Sequence, residues 1–364
     1  MKLFNRVLKG FGLFIVLALL ALLAFFLWPE KPYKPYQVTP EYQAQVDAFN
    51  LPDMPADWVW KSFETADGTK LRWGETGNGG AAKATVVMVP GYTATMSMYG
   101  EHVDMLARRG YHVIGIDMRG QGGSERHRKS QPEKLWVDDF SEYSDDLSAF
   151  IDTLPRPAQQ PVIIMGMSFG GHVAVRMAGD YPARVDGLML LAPAIEPQAG
   201  EMSLEQAKNL MIWARRLGKS KHYLQGNENW KPFRKDLSEA SIELCASNPK
   251  RLPNRDVVFT RNPAERVGGV TAQWGVEFFE SSEYIRAAGY LEKIDMPITM
   301  VSAEVDHFVN TDVNQTACDS RFPNCQRLDL KDAGHCLLQE SDAHLTEMFD
   351  GLDALTARLI AISK

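Results

Sequence analysis

The sequence predicts an α/β protein whose mostly parallel sheet carries helices on both faces, and three observations predict it. Short β-rich apolar runs recur at 85–89, 112–117, 162–166, 187–192, 298–303 and 327–330, each followed by glycine or a turn and then a helical stretch. Runs apolar throughout, rather than alternating, suit strands covered on both faces. The 364 residues are 45% hydrophobic and 23% charged, the balance of an ordinary globular chain long enough for one large domain with an insertion. A glycine-flanked serine, Gly166-Met167-Ser168-Phe169-Gly170, lies directly between one of these runs and a helical pattern.

The first 28 residues are different in kind. Residues 11–28 are an unbroken run of apolar residues and glycine, preceded by Lys2, Arg6 and Lys9 and followed by Glu30. Eighteen helical residues span about 27 Å, close to a hydrocarbon core. The cations before the run orient it with the N-terminus in the cytoplasm and everything after Pro29 outside. A cleaved secretory signal is the competing reading, although no small-x-small cleavage site follows the run. Either way the body is exported. The net charge is −7, and without those three cations the rest of the chain stands at −10. So acidic a body argues against nucleic acid as a partner, and against charge alone holding it to an anionic membrane.

Residues 29–57 carry Pro29, Pro32, Pro35, Pro40, Pro52 and Pro55 and read as a stalk between the membrane and the body, 58–364. A hairpin with Asp67-Gly68 as its turn joins two short strands around Phe63 and Leu71. With the six later runs it makes an eight-stranded sheet. After the sixth strand the rhythm stops. Residues 193–292 lack a clear strand and are rich in aromatics and methionine, including Met211, Trp213, Trp230, Phe233, Phe259, Trp274 and Phe278. This is the pattern of a helical cap inserted over the C-terminal edge of the sheet. Its apolar side chains either line a substrate site, Trp213 and Trp274 above all, or form the cap's own core.

Ser168 is the candidate nucleophile. A serine on a sharp strand-to-helix turn needs a strained backbone, and flanking glycines leave room for it. The turn sets the hydroxyl near a helix N-terminus, where the N–H of Phe169 faces a developing oxyanion. The loop after strand 85–89, Pro90-Gly91-Tyr92, offers the N–H of Tyr92 as the second donor. A serine needs a base, and the base a carboxylate, which in this arrangement follow in the order acid then histidine. Strand 298–303 ends in Glu304-Val305-Asp306, and the last strand is followed by Ala333-Gly334-His335. Of eight histidines only His335 occupies a glycine-flanked loop there. Asp306 is the candidate orienting acid, with Glu304 as the alternative. The stretch Asp117-Met118-Arg119-Gly120-Gln121-Gly122-Gly123-Ser124 is no phosphate loop, because no lysine stands in the Walker position. It reads as a rigid turn behind the site.

Cys318 and Cys325 are close enough in sequence to bridge across a turn in an oxidising compartment, leaving Cys245 and Cys336. Four reduced thiols are the other possibility. No spacing suggests a metal, and no organic cofactor is implied.

Val89-Pro90-Gly91-Tyr92, the 117–124 turn, the Ser168 elbow, Ala303-Glu304-Val305-Asp306 and Gly334-His335 together resemble the bacterial lysophospholipase and monoacylglycerol lipase branch of the α/β-hydrolases. The cap stretch Arg266-Val267-Gly268-Gly269-Val270-Thr271-Ala272-Gln273-Trp274, with Glu277 after it, is similar to a stretch in bacterial inner-membrane lysophospholipases. The resemblance implies an α/β-hydrolase fold, Ser168, Asp306 and His335 as triad, and Tyr92 and Phe169 as oxyanion donors. It implies hydrolysis of esters of single-chain lipids, with the catalytic domain on the periplasmic side of a bacterial inner membrane and the N-terminal helix in its lipid. Many relatives have histidine where Pro90 stands, and the cysteines go beyond the shared pattern. Acyl transfer by the same residues, and a catalytically silent binding protein on the membrane's outer face, are the alternatives.

Overall fold

Gly68, at φ +85°, and Asp67, whose carboxylate accepts the Thr69 N–H at 3.0 Å, reverse the chain between β1 (Val59–Glu64) and β2 (Lys70–Glu75). The computed structural model describes residues 30–77, 82–157, 160–182, 184–200, 202–224, 226–237 and 245–362. The predicted segment 1–28 lies outside them, and among the described residues no helix is long and apolar enough to cross a membrane.

The expected α/β-hydrolase sheet is present, eight strands in the order β1-β2-β4-β3-β5-β6-β7-β8. Beyond the hairpin its strands are β3 (Ala84–Val89), β4 (Tyr111–Ile116), β5 (Val162–Met167), β6 (Gly187–Leu191), β7 (Ile298–Val305) and β8 (Cys325–Gly334). Only β2 runs against its neighbours, and every pairing from β4 to β8 is parallel. All residues of β3, β4, β5 and β6 are buried, as continuous apolar strands in a doubly covered sheet must be. Strand β8 is the outlier: it is ten residues long where sequence predicted four, and half of its residues are exposed and only two buried. As an edge strand it has one neighbour and one wet side, so its polar alternation hid its length.

Helices α2 (Gly100–Arg108), α3 (Ser141–Asp152) and α4 (Phe169–Asp180) cross between strands. From β6 to β7 the described chain has no strand and is carried by α5 (Leu204–Ala214), α6 (Asn254–Arg261) and α7 (Ala272–Arg286), the expected cap. Its methionine and aromatic residues divide. Met211, Trp230, Phe259 and Phe278 are core, whereas Trp213 and Phe233 are exposed. Helices α8 (Thr311–Thr316) and α9 (Asp342–Ile362) complete the chain.

Two expectations need correction. The segment read as a stalk, 29–57, is packed on the body along its described part from Glu30 onward. Glu30 pairs with Arg128 at 2.7 Å and with Lys134. The Tyr33 hydroxyl donates to Glu133 at 2.7 Å, and the rings of Tyr36 and Trp230 meet edge-on at 5.9 Å. Helix α1 (Pro40–Ala48) buries Tyr42 and Val46, four residues apart on one face, against Val257 of α6. The prolines rule out a sheet strand but leave the tyrosines between them free to bury. The second correction concerns the cysteines. Cys318 and Cys325 are joined, but so are Cys245 and Cys336, 91 residues apart.

Candidate active site

The geometry begins at the elbow. Ser168 sits between β5 and α4 at φ 50°, ψ −114°, a region an L-residue occupies only when its surroundings force it. Its N–H donates to Leu191 O at 2.9 Å, and its carbonyl accepts from His172 N and Ala194 N, each at 3.0 Å. Gly170 makes the turn possible: a Cβ there would lie 2.1 Å from Val89 O. Behind the elbow, buried His172 donates from Nδ1 to Ala194 O at 2.9 Å, and its Nε2 meets the Ser281 hydroxyl of α7 at 2.8 Å. Burial holds its pKa down to about 3, so the ring is neutral.

The structure brings His335, from the loop after β8, to this serine. Its Nε2 lies 2.8 Å from Ser168 Oγ, and its Nδ1 lies 2.7 Å from Asp306 Oδ2. A carboxylate only accepts, so Nδ1 carries the proton and Nε2 is left to take one from the hydroxyl. The Asp306 side chain is fully buried, and its Oδ1 accepts the N–H groups of Phe308 at 2.8 Å and Val309 at 3.1 Å. Glu304, the alternative acid, is exposed and accepts the Asp332 N–H instead. The two carboxylates stand two residues apart: Glu304 lies within β7, and Asp306, just past its end, is the one beside the imidazole.

The Tyr92 and Phe169 N–H groups have no hydrogen-bond partner among the described residues. An added Cβ at Gly91 would lie 3.6 Å from Ser168 Cβ, so the loop that carries Tyr92 runs against the nucleophile. The 117–124 turn braces this loop: Gln121 Oε1 accepts the Thr93 N–H at 2.6 Å. Within the turn, buried Asp117 collects Arg72, Met96 N and Gly123 N, and Arg119 pairs with Asp146, Glu142 and Asp67. Both residues hold structure together, as their place behind the site suggested.

The two cap tryptophans part company. Trp274 of α7 is buried, its Nε1 donates to the Tyr143 hydroxyl at 2.9 Å, and its ring lies 5.9 Å from Phe169 and 6.0 Å from Tyr92. It backs both candidate oxyanion residues. Trp213 of α5 is 58% exposed, with Arg216 over its ring. Among the described residues no hydrogen bond or ring contact links it to Ser168, His335 or Asp306, so of the two expected lining residues one is buried beside the oxyanion loops and the other is exposed. Sequence reasoning missed Phe308, whose half-exposed ring lies 5.0 Å from the His335 imidazole; its only signal was its place two residues after Asp306.

The chain is similar to known proteins along most of its length. The chain is 26% identical over 268 residues to Lysophospholipase L2 of Escherichia coli (strain K12), covering 71% of this chain and 76% of that one. A 1-acylglycerol-3-phosphate O-acyltransferase of Arabidopsis thaliana is 36% identical over 117 residues, 30% of this chain and 25% of that one. Among solved structures, a soluble variant of monoglyceride lipase from Saccharomyces cerevisiae superposes with a TM-score of 0.63 at 14% identity, over 91% of this chain and 99% of that one. The Hydrolase_4 family model, described as Serine aminopeptidase, S33, matches residues 80–342. That span holds the elbow, both candidate oxyanion donors, the acid and the histidine, and the chain belongs to this hydrolase family.

Proposed function

We propose that the protein hydrolyses esters of single-chain lipids, such as lysophospholipids or monoacylglycerols, through an acyl-enzyme on Ser168. The hydrogen-bonded chain from Ser168 Oγ through His335 to Asp306 carries this reading. Ser168 Oγ attacks the acyl carbonyl as His335 Nε2 takes its proton, and Asp306 stabilises the imidazolium that forms. The Tyr92 and Phe169 N–H groups, left without other partners, receive the oxyanion. His335 returns its proton to the departing alcohol, and water, activated by the same ring, then releases the fatty acid. The chemistry uses no metal and no organic cofactor.

The run at 11–28 serves in this reading as a single-pass anchor in a bacterial inner membrane, with the catalytic body in the periplasm. Its flanking cations support the orientation, and two disulfides suit an oxidising compartment. An anchor keeps the enzyme beside amphiphilic substrates.

Purified protein incubated with lysophospholipids, monoacylglycerols and p-nitrophenyl esters is expected to release acid, and a fluorophosphonate is expected to label Ser168. Ser168→Ala should lose both reactions. Full activity in that variant would end the proposal. The acyltransferase relative supports a second reading, transfer of the acyl group to another alcohol, and an acylated acceptor among the products would favour it.

A further inference from the structure

The loop that carries His335 is fastened on both sides of the catalytic residue, and from the cap. On one side, the Gly334 N–H donates to Glu340 Oε1 at 2.7 Å. Glu340 is fully buried, and its other oxygen accepts the Ser247 hydroxyl of the cap. On the other side, Cys336 is bonded through sulfur to Cys245 of the cap, and its N–H donates to Cys245 O at 2.5 Å. The cap backbone fits there because residue 334 is glycine: a Cβ would lie 2.6 Å from Cys245 O. Arg251 closes the arrangement, donating to Glu340 O at 2.7 Å and pairing with Glu101 of α2 and Asp342 of α9.

We propose that the cap segment 245–251 positions the catalytic base: the Cys245–Cys336 disulfide and the buried Glu340 carboxylate hold the loop so that His335 stays in register with Ser168. The inference rests on the reading of Ser168 as nucleophile and His335 as base. Neither Glu340 nor the cysteines touch the reacting atoms, so they act through placement alone. Misplacing a base by about 1 Å costs roughly a hundredfold in rate. The cap is thereby a brace for the triad.

The experiment compares wild type with Glu340→Ala, Glu340→Gln and the double variant Cys245→Ser/Cys336→Ser, assayed on p-nitrophenyl butyrate and by the rate of fluorophosphonate labelling. Circular dichroism checks folding. The expected result for Glu340→Ala and for the double cysteine variant is a kcat lower by about ten- to a hundredfold with KM within about twofold, and labelling slowed by the same factor. Glu340→Gln keeps an oxygen for the Gly334 N–H and is expected to retain most of the activity. A second arm uses Cys318→Ser/Cys325→Ser, which leaves only the Cys245–Cys336 bond. Dithiothreitol passes two electrons and two protons to that bond, which opens to two thiols as the reagent closes to a cyclic disulfide. Labelling of the reduced, still folded protein should slow equally, and this arm decides if the cysteine or alanine variants do not fold. Folded variants and reduced protein with wild-type kcat and labelling rate would overturn the clamp alone. A wild type that neither labels nor hydrolyses would overturn the acyl-enzyme reading and the clamp with it.

Discussion

Ser168 and His335 meet at 2.8 Å, but the supports that bring them there differ. The serine belongs to the middle of the sheet, on a strand with β3 on one side and β6 on the other. Its position is set by local backbone: a left-handed residue, and glycines that admit neighbouring carbonyls. The histidine follows β8, an edge strand, and its loop is held by residues distant in sequence, namely Cys245, Ser247, Arg251 and, through a 2.5 Å hydrogen bond to Leu338 O, His102 of α2. One partner of the triad is fixed by the turn it sits on and the other by its surroundings. The elbow should therefore tolerate almost no change, while the histidine loop should fail by degrees.

The hydrogen bond from His335 to Asp306 is the largest lever short of the nucleophile. Asp306→Asn removes the acceptor that selects the Nδ1–H tautomer and should lower kcat by about 10³- to 10⁴-fold with the fold intact, measurable with a chromogenic ester. A loss under tenfold would show that the loop's own bracing suffices to orient the ring. Gly170→Ala tests the other side. The added methyl meets a backbone carbonyl, so it should cost about 3 kcal/mol in urea unfolding. A cost below about 1 kcal/mol would mean the elbow has slack.

Acid probes both supports, because each has a buried neutral histidine: His172 behind the elbow and His102 behind the loop. Burial lowers their pKa values from 6.5 to about 3 and about 4. Unfolded, both rings would bind a proton at pH 5, and folded they do not, so their contribution is complete above pH 6.5 and drains as the pH falls towards those lower values. Each ring should account for about 3 kcal/mol lost by pH 4, and His102→Gln should flatten the dependence of urea stability on pH between 6.5 and 4. A slope unchanged by that substitution would place the acid sensitivity elsewhere. The smallest effect is expected at Trp213→Ser, where an exposed side chain away from both supports should change stability by no more than about 0.5 kcal/mol and leave hydrolysis of a short soluble ester untouched.

What the sequence made legible follows the same division. The elbow, the hairpin and the buried parallel strands are written locally, in glycines at fixed offsets and in runs apolar throughout. Asp306 and His335 could be found because strand ends and a glycine-flanked loop mark them, although Asp306 and Glu304 could be separated only by the register of β7. The pairing of Cys245 with Cys336 was not legible, because nothing local signals a bond across 91 residues. Nor was the inward or outward sense of Trp274 and Trp213, which depends on the partners the cap packs against. The proline-rich segment misled for a related reason: prolines state what a backbone cannot form, while Tyr33, Tyr36 and Tyr42 decide where it lies.

That segment has a bearing on reach. Glu30, clasped by Arg128 and Lys134, stands only two residues beyond the apolar run that ends at Trp28. Two residues extend at most about 7 Å. If the run is seated in a bilayer, as proposed, the enzyme works on a leash too short for it to leave the headgroup layer, and its catch is confined to lipid that diffuses laterally to its foot.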